Sequence, residues 1–78
     1  MDAGKTGAYL AALRKARGMT QQEAADQLGV SNKTVSKWEN GAGLPDITVL
    51  PALAELYGVT ADDILAGETL RGRPAGAQ

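Results

Sequence analysis

The 78-residue chain has no cysteine, no histidine and no phenylalanine, and a single tryptophan, Trp38. Without cysteine there can be no disulfide framework and no thiolate-held metal. Without histidine, the usual zinc ligand and the commonest general base are missing too. No apolar run approaches the roughly 18 residues of a membrane span. Residues 1–7 are polar and glycine-rich, unlike a signal peptide. The expectation is a soluble cytoplasmic protein with no metal, no cofactor and no membrane attachment. Little is left for catalysis. Asp62 and Asp63 are adjacent, so on a helix they diverge by about 100° and form no dyad. An enzyme is therefore the weakest reading.

Positive charge is also scarce, and the net charge is −1. Its distribution says more than its total. Residues 1–40 hold six Lys/Arg and four Asp/Glu, net +2. Residues 41–70 hold no Lys/Arg and five acids (Asp46, Glu55, Asp62, Asp63, Glu68), net −5, and Arg71 and Arg73 return +2. The acidic half would face away from a polyanion, leaving the N-terminal half as the side that meets it.

What is present is helical periodicity with short breaks. No strand pattern or internal repeat is visible. A first helix is predicted over residues 6–16, with Tyr9, Leu10 and Leu13 as its apolar stripe, and Gly18 suits its end. The second is expected over 21–28 and the third over 32–40. A turn signal follows at Gly41-Ala42-Gly43-Leu44-Pro45. The fourth carries Val49, Leu50, Leu53, Leu56 and Tyr57 and ends at Gly58. Thr60 with Asp63 opens a short fifth helix through Leu65. Pro51 conflicts with a fourth helix capped by Asp46, because it would remove an internal hydrogen bond. A late start capped by Thr48 would put it in the first turn, where its missing N–H costs little. The expected organisation is a flexible N-terminus over 1–5, one all-α domain of five short helices over 6–66, and a flexible tail over 67–78.

Residues 19–41, MTQQEAADQLGVSNKTVSKWENG, carry the functional signal. Thr20 and Glu23 form a capping-box pattern. Small Ala25 sits where two helices would cross. Gly29 suits the positive φ of a tight interhelical turn, and Ser31 can cap the next helix. In that helix Val35 and Trp38 form one apolar face. Asn32, Lys33, Ser36, Lys37 and Asn40 are left on the other. Lys33 and Lys37 repel at i, i+4, costing roughly 0.2–0.5 kcal/mol. Lys33 also sits in a first turn, where the macrodipole disfavours a cation. A face that breaks helix-stability rules is often functional.

These segments resemble the Cro/Xre-type helix-turn-helix family, the lambda repressor-like DNA-binding domain of phage and bacterial repressors. The likeness runs from about Tyr9 to Leu65. It rests on Leu13-Arg14, Met19-Thr20-Gln21-Gln22-Glu23, Leu28-Gly29-Val30-Ser31, Thr34-Val35-Ser36-Lys37-Trp38-Glu39-Asn40-Gly41, Leu44-Pro45-Asp46 and Asp62-Asp63-Ile64-Leu65. Ala24 departs from the pattern, since relatives usually carry a larger aliphatic there, which predicts thinner packing under the second helix. The resemblance implies a DNA-binding transcriptional regulator, read here as a repressor of bacterial or phage type, whose third helix enters the major groove.

Asn can pair with adenine and Lys can donate to guanine in that groove. Asn32, Lys33, Ser36 and Lys37 are therefore the candidates for base readout. Gln21 lies at a helix N-terminus, where N–H groups and the dipole favour phosphate. The resemblance assigns DNA-backbone contacts to Gln21 and Asn40, and Ser31 at the helix entrance joins them. It also implies a structural ion pair between Arg14 and Glu39. With so few cations a monomer would bind weakly, so a homodimer on a two-fold symmetric operator, with half-sites about 34 Å apart, is expected. The low positive charge leaves one alternative open, a protein-interaction module on the same fold, such as an antitoxin-like or adaptor partner.

Overall fold

The computed structural model describes residues 2–70. They form five helices, α1 (Ala3–Ala16), α2 (Gln21–Leu28), α3 (Asn32–Glu39), α4 (Leu50–Tyr57) and α5 (Ala61–Ala66). No strand occurs among the described residues. The architecture is all-α, as the periodicity predicts.

Each short helix is started or stopped by its own chemistry. Thr20 and Glu23 close a full capping box on α2, and Thr60 and Asp63 do the same on α5. Ser31 caps α3 by accepting from the Thr34 N–H at 3.1 Å. Gly29, at φ +72°, ends α2 in the left-handed region that L side chains avoid.

The helices bury one core of Leu10, Ala25, Val35, Trp38, Leu50, Leu53, Tyr57 and Ile64. In this order α1 contributes one residue, α2 one, α3 two, α4 three and α5 one, so no helix pair could form this core without the others. α3 packs against both α1 and α2, and α5 against both α1 and α4. The recognition candidate is therefore braced from two sides.

Three boundaries differ from the sequence expectation. α1 begins at Ala3 rather than at residue 6, because the Asp2 carboxylate accepts from the Lys5 N–H at 3.0 Å and caps it. Two residues at the expected start of the helix, Thr6 and Gly7, lie inside it and are buried. Thr6 Oγ1 donates to the Ile64 carbonyl at 2.9 Å. Gly7 lets α1 approach α3, since a Cβ would meet the Trp38 carbonyl and, at 3.0 Å, that of Glu39.

α4 starts late, at Leu50, with Pro51 in its first turn, but Thr48 is not its cap. The capping position is Val49, which makes no side-chain cap bond. Thr48 instead donates from N and Oγ1 to Asp46 Oδ1, at 2.9 and 3.2 Å.

The expected tail is partly tied down. Lys5 Nζ pairs with Glu68 at 3.1 Å, Tyr9 and Thr69 share a hydrogen bond, and the Leu70 N–H donates to Asp63 Oδ1 at 3.0 Å. The remainder of that segment, including Arg71 and Arg73, lies outside the described residues.

Candidate nucleic-acid interface

α2, the turn at Gly29 and α3 form a helix-turn-helix. The Val30 N–H returns to the Ala25 carbonyl at 3.0 Å, which closes the turn. Within α3 the division of labour is clean. Val35 and Trp38 are buried, at 2% and 7% exposure. Asn32, Lys33 and Lys37 are exposed, and Ser36 is half-buried. Their different fates follow from the 3.6-residue period: positions 35 and 38 point inward, and 33 and 37 align one turn apart on the outside.

The outward face is concave. Lys33, Thr34, Ser36, Lys37, Asn40 and Ala42 line a shallow hollow of about 370 Å³. Two ammonium groups and three side chains able to donate hydrogen bonds converge on it. Asn40 Nδ2 donates to Ser36 Oγ at 3.3 Å. The Ser36 hydroxyl is thereby an acceptor for Asn40 and keeps its own proton to donate. Asn40 also caps the end of α3, its N–H returning to the Ser36 carbonyl. Ser31 is exposed, but its hydroxyl is engaged in capping with Thr34. Thr34 and Ala42 join the residues that the sequence pattern singles out. Ala42 follows the helix and has no polar side chain, so nothing local flagged it.

A charged cluster joins α3 to α1 and α2. Arg14 Nε and Nη2 donate to Glu39 Oε2 and Oε1 at 2.8 and 2.9 Å, a bidentate pair. Arg14 Nη1 also donates to the Met19 carbonyl at 2.8 Å. The two side chains are only 11% and 5% exposed. Gln21 joins them, donating from Nε2 to Glu39 Oε1 at 3.0 Å. Glu39 thus links α1, α2 and α3 through one carboxylate.

Burial alone would push the Glu39 carboxyl up, but the hydrogen bonds from Arg14 and Gln21, with the charges of Arg14 and Lys15, leave it below the usual carboxylate range. Arg14 is held more firmly protonated by its hydrogen bond to Glu39, against the opposing effect of burial. Burial, with the Glu39 charge, raises Tyr57, and Arg14 opposes this.

Gln21 is half-buried and tied to Glu39 rather than projecting freely. This link leaves no local trace in the chain, because the partners are 18 residues apart and on different helices. Among the described residues, no cluster of His, Cys, Asp and Glu could hold a metal ion. Nor is any described helix long and apolar enough to cross a membrane.

Comparison with known proteins agrees with this geometry. The family model described as helix-turn-helix matches residues 10–64. The chain belongs to the Cro/Xre-type helix-turn-helix family. It is 41% identical over 58 residues to the HTH-type transcriptional activator BcrR of Enterococcus faecalis, covering 74% of this chain and 28% of that protein. It is 36% identical over 55 residues to the cryptic phage CTXphi transcriptional repressor RstR of Vibrio cholerae, covering 70% of this chain and 49% of that one. YazB of Bacillus subtilis, an uncharacterised HTH-type transcriptional regulator, is 31% identical over 68 residues, 87% of this chain and 99% of its own length. The crystal structure of the clp gene regulator ClgR from Corynebacterium glutamicum superimposes with a TM-score of 0.73 at 25% identity, covering 86% of this chain and 87% of that one. The chain spans about a quarter to a half of the length of BcrR and RstR.

Proposed function

We propose that the chain is a sequence-specific, double-stranded DNA-binding transcriptional regulator that acts as a repressor by occupying its operator. One observation carries the reading: the outward face of α3 gathers Lys33, Ser36 and Lys37 on a concave, donor-rich surface, with Asn32 exposed at the start of the same helix, while its inward face is locked in the core. An α-helix fits the major groove, and these side chains match the acceptors that purines present there. Gln21, Ser31 and Asn40 flank that face and take the DNA backbone. Relatives named as regulators, one an activator and one a repressor, support the regulatory role.

The protein works in the cytoplasm, as a homodimer on a two-fold symmetric operator. Six Lys/Arg among residues 1–40, one of them bound to Glu39, give a single copy few phosphate contacts.

Selection of bound DNA from random duplexes at two salt concentrations tests the reading. The expected product is a palindromic motif with half-sites about 34 Å apart. The double variant Lys33→Ala/Lys37→Ala is expected to lose both affinity for that motif and discrimination against its mutants. Normal binding and specificity in this variant would sink the assignment of α3. No duplex binding even at low salt would sink the function.

A further inference from the structure

We propose that Glu39 is a positioning residue for DNA binding: its carboxylate orients the Gln21 side-chain amide so that an N–H is presented to a backbone phosphate. The inference rests on the reading of α2 and α3 as the DNA-facing unit, and deepens it.

The geometry begins with three donors on one carboxylate. Glu39 Oε2 accepts from Arg14 Nε, and Oε1 accepts from both Arg14 Nη2 and Gln21 Nε2, at 2.8, 2.9 and 3.0 Å. A primary amide has two chemically opposite ends, an NH₂ and a carbonyl oxygen. Beside an ionised carboxylate only the NH₂ end is tolerated, because the carbonyl would set two acceptors against each other. The charge on Glu39 therefore selects one of two amide orientations that would otherwise be nearly equal in energy. One N–H of Gln21 is used by Glu39. The second remains on the same nitrogen, at the half-exposed surface where α2 meets α3.

The Arg14 contact makes this compatible with a polyanion. A bare carboxylate immediately behind Gln21 would repel phosphate. Two guanidinium hydrogen bonds neutralise it while leaving it able to accept from the amide. One ion pair then does two things, fixing the helix crossing and aiming an uncharged donor.

Phosphate contacts carry no direct sequence information, so a mixed-sequence DNA duplex is a sufficient probe and no operator is needed. Gln21→Met keeps the shape and leaves the Arg14–Glu39 pair intact. It is expected to weaken binding by roughly tenfold, the value of one hydrogen bond to a charged group. The salt dependence should stay unchanged, because Gln neutralises no phosphate. Glu39→Gln should give a similar loss. The double variant Gln21→Met/Glu39→Gln should be no weaker than either single one, as for residues acting as a unit. Independent, additive losses would mean Glu39 acts only through the fold, and would overturn the proposal.

Should Glu39→Gln fail to fold, nitrogen-15 NMR of the unmodified protein decides. On titration with the duplex, one Gln21 side-chain amide proton should shift strongly and its geminal partner, held by Glu39, little. Two unmoved protons, or wild-type binding by Gln21→Met, would overturn it. If Lys33→Ala/Lys37→Ala loses binding while Gln21→Met does not, this inference alone falls. If the lysine variant also binds normally, the reading of α3 falls with it.

Discussion

Gly7 in α1 lies against the backbone carbonyl of Trp38 in α3, with no room for a Cβ between them. The obstructing atoms are main chain, so no rotamer change relieves the contact. Alanine is the better helix former by about 1 kcal/mol, and in an open helix Gly7→Ala would stabilise. Here it is expected to destabilise by about 1–3 kcal/mol, the range for overpacking a tight contact. Urea unfolding followed by the fluorescence of Trp38, the sole tryptophan, measures it. A raised midpoint would show that α1 and α3 are not in this contact.

Arg14→Met is expected to cost about 3 kcal/mol or more, because it leaves Glu39 buried without its counter-charge. Arg14→Lys should recover only part of the loss. A lysine keeps the charge but cannot reproduce the two-point contact and the bond to the Met19 carbonyl together. Equal midpoints for the lysine variant and the parent would contradict the bidentate geometry.

Stability should depend on pH at both extremes. Glu39 titrates lower in the folded chain than in the unfolded one. Its contribution is therefore complete above the unfolded value of about 4.3 and is lost as pH falls below it. Tyr57 titrates higher when folded. Its contribution is complete below about pH 10 and is lost as pH rises beyond that. Urea midpoints across pH should show a neutral plateau. Glu39→Gln should flatten the acid limb and Tyr57→Phe the alkaline one. An alkaline limb unchanged in Tyr57→Phe would remove Tyr57 as its source.

The helix-turn-helix could be read from the chain because its signals are local. Thr20 and Glu23 lie three residues apart, and Gly29 and Ser31 each act on the next few residues. What could not be read is long-range. Gly7 falls in the expected first helix with nothing local to mark its role, until α3 arrives and makes it a requirement. The bond from Gln21 to Glu39 joins two helices and leaves no periodic trace. The Arg14–Glu39 pair came from family likeness, since nothing in their spacing reveals it. Thr48 looked like a cap, yet Asp46 captures it two residues upstream, and α4 starts without one.

Asp63 offers a check on the contact that ties residue 70 to α5. It caps α5 by accepting from the Thr60 N–H at 3.1 Å, and it holds the Leu70 N–H as well. Asp63→Ala is expected to lose about 1–2 kcal/mol from the cap and to release residue 70. Hydrogen exchange at Leu70 should rise in the variant far more than exchange in α3. Unchanged protection at Leu70 would place its anchor elsewhere.

The separation within α3 has a practical consequence. Val35 and Trp38 hold the helix from inside the core, while Asn32, Lys33 and Lys37 are exposed and Ser36 is half-buried. Positions 32, 33, 36 and 37 are thus nearly uncoupled from folding. A combinatorial library at those four sites should yield mostly folded proteins of near-parental stability, so that the preference of this surface could be reprogrammed without rebuilding the scaffold beneath it.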